Sequence, residues 1–221
     1  MLKPKSPTAL LIFTRYPTPG KTKTRLIPAL GAQGAAQLQK QLTEWMVAAG
    51  RSLQEFMPVE IVICGSGEAI PAFQIWLGAK LSYQLQQGNT LGDRLIQGFE
   101  SVWQQDFQQA IVVGIDCPSI TPALLLQAFE HLNTQDIVIG PAADGGYYLF
   151  GCKSVTFKSD YFQDITWGTG QVYRQTLAKL EHHQQTMAVL EPLNDIDRPE
   201  DLSALPESFH IDIENQINND C

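Results

Sequence analysis

No apolar run in this 221-residue chain approaches the roughly 20 residues needed to cross a bilayer. The stretch Ala9-Leu10-Leu11-Ile12-Phe13 is too short even for a signal-peptide core, and no small-residue cleavage site follows it. The expectation is a soluble, cytoplasmic protein with no membrane span. Cysteine is scarce. Cys64, Cys117, Cys152 and Cys221 form no C-x-x-C pair, which excludes a zinc ribbon or thioredoxin motif. A disulfide framework does not suit a chain with this much core. Three of the four lie in or beside predicted strands, where reduced Cys acts as a small apolar residue. There are four histidines, and the adjacent pair His182-His183 faces two directions on a helix, a poor chelate and more simply a solvated helix end. Charged residues make up only 17 % against 44 % hydrophobic, which excludes disorder and a simple coiled coil. The length suits one α/β domain rather than two.

The most informative absence is positional. No acidic residue precedes Glu44, whereas Lys3, Lys5, Arg15, Lys21, Lys23, Arg25 and Lys40 do. The whole chain nevertheless carries a formal charge of −8, so a basic N-terminal segment sits on an acidic body. That body repels a long polyanion, and basic residues do not alternate with aromatic ones. Nucleic-acid binding is therefore excluded.

Short apolar, β-rich runs recur at 9–14, 59–64, 81–85, 111–115, 136–139, 147–150 and 186–190. Several are continuous rather than alternating, as in central strands covered on both faces. Helical patterns fill 31–56, 91–107, 122–132 and 168–182, the third opened by the Thr121-Pro122 start signal. The order β-α-β-α-β-α-β-α-β-β-α-β predicts an α/β fold with a doubly wound, mostly parallel sheet and an antiparallel member where two strands run consecutively. One domain is expected over 1–202, with a peripheral C-terminal tail over 203–221.

Ligands of such sheets bind beyond the carboxyl ends of the strands. After the first strand comes Arg15-Tyr16-Pro17-Thr18-Pro19-Gly20-Lys21-Thr22-Lys23-Thr24-Arg25-Leu26. Two prolines and a glycine enforce an irregular backbone. Four cations crowded into eleven residues repel one another unless an anion offsets them. Phosphate oxygens accept from ammonium, guanidinium, hydroxyl and backbone N–H groups together. A Walker A loop would need glycine at Arg15, and the dinucleotide fingerprint fails because Ile70 stands at the third glycine of Gly65-Ser66-Gly67. The bland alternative is a solvated basic turn.

Asp116 closes the apolar run Ile111-Val112-Val113-Gly114-Ile115, and Pro118 stops the strand. A carboxylate there either binds Mg²⁺ that bridges phosphates or caps the following turn. Cys117 has no base or activating motif nearby and reads as packing. In Asp195-Ile196-Asp197-Arg198-Pro199-Glu200, a helix start with Asp197 as N-cap and Glu200 completing a capping box explains Glu200. It leaves Asp195 or Asp197 available to face a metal. The loop Ala143-Asp144-Gly145-Gly146-Tyr147 is either a plain hairpin connection or an acceptor site, with glycines for close approach and Asp144 as a sugar ligand, acceptor orienter or outer metal ligand.

These blocks, together with Gly88-Asn89-Thr90-Leu91-Gly92-Asp93-Arg94-Leu95, resemble the DUF2064 group of bacterial transferases within the nucleotide-diphospho-sugar transferase (GT-A) superfamily. Their order and spacing cover nearly the whole chain up to Leu202. The resemblance implies a single-domain, Rossmann-like GT-A fold. Its relatives include guanylyltransferases, in which the loop after the first strand cradles a nucleoside triphosphate. On that footing Arg15, Gly20, Lys21, Thr22, Lys23, Thr24, Arg25, Gly88, Asn89 and Arg94 would bind the nucleotide. Asp116 and Asp197 would hold Mg²⁺, with Mn²⁺ as a substitute. Asp144, Gly145, Gly146 and Tyr147 would meet the acceptor. The chain departs from the family pattern at Arg15, more often Lys; at Cys117, more often Ser; and at Arg198, more often Thr.

Three functions follow as expectations. The first is nucleotidyl transfer from a nucleoside triphosphate to a small phosphorylated acceptor, with Lys21, Lys23 and Arg25 neutralising the leaving group. The second is glycosyl transfer from a nucleotide sugar, with Asp144 as base. The third is a non-catalytic nucleotide-binding module. The sequence leaves the base, the acceptor and the oligomeric state open.

Overall fold

Successive side chains of a strand point to opposite faces, and the first strand, β1 (Thr8–Arg15), shows what its neighbours must supply. Leu10 and Ile12 enter one hydrophobic cluster, Ala9 and Leu11 the other, and all four are fully buried. Both faces therefore need cover, which is why the run is continuously apolar. The structure, a computed structural model, describes residues 8–209.

Helix α1 (Ile27–Leu53) follows β1, then β2 (Glu60–Ser66), α2 (Ile70–Leu77), β3 (Ser82–Leu85), α3 (Leu91–Trp103) and β4 (Gln109–Val113). The second half holds α4 (Pro122–His131), β5 (Ile137–Pro141), β6 (Tyr147–Lys153), α5 (Val172–His182) and β7 (Met187–Val189). Among the described residues the strands form one sheet in the order β3-β2-β1-β4-β6-β5-β7. All pairings are parallel except the two made by β6. This is the expected doubly wound α/β sheet, with its antiparallel member in the expected place. Residues of α1, α2 and α4 pack on one face; residues of α3 and α5 pack on the other.

Several local expectations change. The strand-helix order counted a helix after β2 without giving it bounds, and α2 fills that place. The helical pattern at 31–56 extends back to Ile27, interrupted at Gly31, whose φ is 66°. Residues 168–171 lie outside α5, since Gly168 has φ 77° and the helix begins at Val172. The late helix start is a 3-10 turn, Pro199–Ala204, capped one residue later than expected. Asp201, not Glu200, accepts from the backbone N–H groups of Asp197 at 3.0 Å and Arg198 at 2.7 Å. His183 is not merely solvated, because its ring meets the Asp160 carboxylate at 2.9 Å. Beyond the 3-10 turn, Leu205 and Phe209 pack against the α1 side of the core, and Phe209 touches Trp45. Cys221 lies outside the described residues.

Candidate active site

The carboxyl ends of β1 and β4 are adjacent because the two strands pair in parallel. The basic loop therefore emerges beside Asp116. Its shape is set by backbone contacts. Lys21 N–H donates to Thr18 O at 3.0 Å, and the nearly buried Thr22 hydroxyl donates to the same carbonyl at 3.2 Å. Gly20 takes φ 76°, and Lys23 itself stands in the left-handed region at φ 47°, a conformation a non-glycine residue adopts only when its surroundings hold it. Arg15 clamps the loop by donating to Lys21 O at 2.9 Å. From below, Gln39 of α1 donates to Arg15 O at 3.1 Å.

Arg15, Lys21, Lys23 and Arg25 line a single cavity of about 270 Å³ with Thr22 and Thr24, and Asp116 and Asp197 close it. Gly20 is exposed at the turn and does not line it. The two expected metal carboxylates are held by the loop's own cations. Lys23 Nζ lies 2.7 Å from Asp116 Oδ1 and also donates to Ile196 O. Arg25 pairs with Asp197. Lys23 is only 4 % exposed, whereas the Asp116 side chain is 49 % exposed.

The late acidic segment is hung beside Asp116 by its backbone. Ile196 is buried and its N–H donates to Asp116 O at 2.8 Å, while Leu193 N–H donates to Pro141 O at 3.1 Å. Asp195 consequently faces Asp116 and Asp144 across a second cavity of about 350 Å³. Burial raises the Asp195 carboxyl above its ordinary value first, and the negative charges of Asp144, Asp116 and Asp197 raise it further. Such carboxylate oxygens are hard donors that fit Mg²⁺ or Mn²⁺, and a cation would relieve their repulsion. Among the described residues, however, no three His, Cys, Asp or Glu side chains stand close enough to hold an ion. The ligand set is present in chemistry and not yet gathered in geometry.

Asp144 forms the hairpin connection between β5 and β6. Its Oδ1 accepts from Gly146 N–H at 2.7 Å, and it lines the larger cavity with Gly146 and Tyr147. Gly145 packs against the Gly170 backbone instead, with φ 89° and a Cβ position 2.4 Å from Gly170 O. Gly88, Asn89 and Arg94 stand apart from both cavities at the start of α3. There Arg94 Nε donates to Gly88 O at 3.2 Å, Asn89 N–H donates to Asp93 at 3.1 Å, and the Thr90 hydroxyl accepts from Asp93 N–H at 3.0 Å. Cys117 is buried, and burial pushes its thiol well above the ordinary range, followed by the charge of Asp116. Buried Cys64 is pushed up to about 12. Neither suits a thiolate nucleophile. The sequence reading missed Trp167, Phe13 and Leu91, which supply apolar walls of the larger cavity. The one available signal was Trp167 between Thr166 and Gly168-Thr169-Gly170, a turn-rich run too irregular for the start of a helix.

Fold and site together define a GT-A-like α/β protein with a cationic loop after β1 and carboxylates at the end of β4. The family profile DUF2064, described as an uncharacterized protein conserved in bacteria, matches residues 35–169, and the chain belongs to this family. A solved protein of Desulfovibrio desulfuricans G20, provisionally named a nucleotide-diphospho-sugar transferase, is 33 % identical, with a TM-score of 0.82 over 87 % of this chain and 83 % of that one. Two others share the fold. A nucleotidyl transferase from Methanothermobacter thermautotroptrophicus is 16 % identical, TM-score 0.59, covering 89 % and 94 % of the two chains. Rv0371C of Mycobacterium tuberculosis H37Rv, solved with manganese, is 15 % identical, TM-score 0.52, covering 91 % and 98 %. No curated protein matches the sequence. Among the described residues no helix is long and apolar enough to cross a membrane.

Proposed function

We propose that the protein is a metal-dependent, nucleotide-using transferase whose donor is a nucleoside triphosphate. One observation carries this reading: four cations and two threonines of the loop after β1 line a single cavity closed by Asp116 and Asp197. A triphosphate offers enough charge to engage all four cations, and the carboxylates that close the cavity can take Mg²⁺ or Mn²⁺. Asp116 and Asp197 would hold such an ion, and the chemistry it would supply is positive charge to stabilise the leaving group. Lys21, Lys23 and Arg25 would hold the β- and γ-phosphates, and Arg15 fixes the loop that presents them. An acceptor oxygen in the neighbouring cavity would form a bond to the α-phosphorus as the bond to pyrophosphate breaks. The M. thermautotroptrophicus protein supports this reading by name, the name of the D. desulfuricans protein fits the nucleotide-sugar donor of the second reading below, and the manganese complex supports a divalent ion. The catalytic domain is proposed to span 1–202.

Glycosyl transfer from a nucleotide sugar is the second reading. It is favoured by Asp144, an exposed carboxylate over the larger cavity where it can act as base toward a hydroxyl. The two separate in one assay. Protein, Mg²⁺ and a panel of acceptors are incubated with each nucleoside triphosphate and each nucleotide sugar. Release of pyrophosphate establishes nucleotidyl transfer; release of nucleoside diphosphate from a sugar donor establishes the alternative. Nucleotide binding without turnover, unchanged by metal and by Asp116→Asn, would leave only a binding module.

A further inference from the structure

The larger cavity differs from its basic neighbour in every respect that governs ligand charge. Its volume, about 350 Å³, suits a small molecule. Phe13, Leu91, Leu95, Tyr147, Phe150 and Trp167 give it an apolar, ring-lined interior, and Asp116, Asp144 and Asp195 stand at its polar end. No lysine, arginine or histidine is found among the described residues that line it. Lys23 is held by Asp116 and Ile196 O and Arg25 by Asp197, while Arg198 lines an adjoining cavity that shares Asp144 and Asp195. The aromatic corner is built rather than incidental. Tyr147 and Trp167 meet edge to face with centroids 6.3 Å apart. Trp167 is seated against α3 at Gly92, where a Cβ would lie 3.0 Å from its Nε1 and 2.2 Å from Phe162 O.

In the metal-free protein an anion entering this space would lose its water, find no cation in the lining and face Asp144, Asp195 and the Lys23-paired Asp116. A ring would stack on or edge against the aromatic walls, and a hydroxyl or ammonium would satisfy the acids. We propose that this cavity binds an acceptor that carries a flat apolar ring and a hydroxyl. The inference rests on the transferase reading above and narrows it. The attacking atom is then a hydroxyl oxygen, which bonds to the transferred group as the donor's leaving phosphate departs, and the hydroxyl proton passes to Asp144.

A matched series of probes tests this, because its members differ chiefly in charge: tyrosol (neutral), tyramine (cationic), 4-hydroxyphenylacetate (anionic) and phenyl phosphate. Binding is measured by ligand-observed NMR in metal-free buffer and again with Mg²⁺ and inorganic tripolyphosphate present. In metal-free buffer tyrosol and tyramine should bind at least about tenfold more tightly than either anion, and tyrosol should still bind with Mg²⁺ and tripolyphosphate present. Gly114 borders the cavity, and a Cβ there meets nothing within 4 Å, so Gly114→Ala narrows the space without a clash. That variant should weaken tyrosol by about threefold or more and leave tripolyphosphate binding within about twofold. Tighter binding of an anion or equal binding of all four in metal-free buffer, no binding of tyrosol under either condition, or tyrosol binding that ignores Gly114→Ala overturns the proposal. Tripolyphosphate binding is read separately. Its absence would undo the triphosphate reading, whereas its presence beside a failed probe series would undo only the acceptor class.

Discussion

Replacing Lys23 with methionine removes one charge from the structure while keeping a stem of similar length. In the folded protein the ammonium is nearly buried and serves Asp116 at 2.7 Å and the carbonyl of Ile196. Hydrogen bonds involving a charged group contribute about 1.5–3 kcal/mol each. Part of that is offset because methionine escapes the cost of burying an ammonium. Asp116 is half exposed and rehydrates when its partner leaves, so it does not remain as an uncompensated buried charge. The net loss should be about 1–2 kcal/mol of stability, or roughly 2–8 °C in melting temperature for a domain of this size. Ligand binding should separate in two directions. Triphosphate affinity should fall by about 2–3 kcal/mol, roughly 30- to 150-fold, for loss of one desolvated ammonium–phosphate contact. Affinity for Mn²⁺ alone should rise, because Asp116 no longer has an internal cation to surrender. Lys40→Met is the control, since Lys40 and Glu44 are an exposed pair at 3.9 Å, worth about 0.5 kcal/mol or less. Differential scanning calorimetry and titration calorimetry read these quantities. Unchanged melting together with unchanged triphosphate binding in Lys23→Met would refute the reasoning.

The raised Asp195 carboxyl makes a pH prediction. Its folded state holds the proton more tightly than the unfolded chain, so Asp195 lowers stability as pH rises through its folded value. Asp195→Asn should therefore melt higher than wild type at about pH 8 and converge with it near about pH 3, where both forms are neutral; a constant offset across that range would show that neither burial nor the neighbouring carboxylates raise it. Gly145→Ala should cost more than about 2 kcal/mol, because a Cβ at φ 89° would lie 2.4 Å from Gly170 O, and denaturant unfolding checks it. Cys117→Ser should keep turnover within about threefold once a substrate is in hand, since a deeply buried, firmly protonated thiol is no nucleophile; loss of turnover with intact folding would return Cys117 to the chemistry.

Much of the fold was legible because local patterns carry it. Continuous apolar runs mark strands covered on both faces, and two consecutive runs, 136–139 and 147–150, gave the antiparallel β6 its place. The basic loop was equally readable, since four cations after one strand have few uses other than an anion. What could not be read is what the chain brings together across long separations. Lys23 reaches Ile196, 173 residues away, and Arg25 reaches Asp197. Nothing in either segment alone states that the expected phosphate ligands and the expected metal ligands neutralise one another. Trp167 was hidden for a related reason. Its role as a wall depends on the close seat at Gly92, a tertiary contact without a periodic signature. The cap lies at Arg198, one residue later than expected, because the Asp201 carboxylate takes the backbone donors of Asp197 and Arg198.

The central claim is that the loop after β1 binds the triphosphate of a nucleotide together with a divalent ion. Titration calorimetry of the four common nucleoside triphosphates and their nucleotide sugars, each with Mg²⁺, tests it most directly. One triphosphate should bind more tightly than the corresponding nucleotide sugar, and Lys23→Met combined with Arg25→Met should abolish that binding while the protein stays folded. Failure of every triphosphate to bind, or binding that survives loss of both cations, would contradict the account.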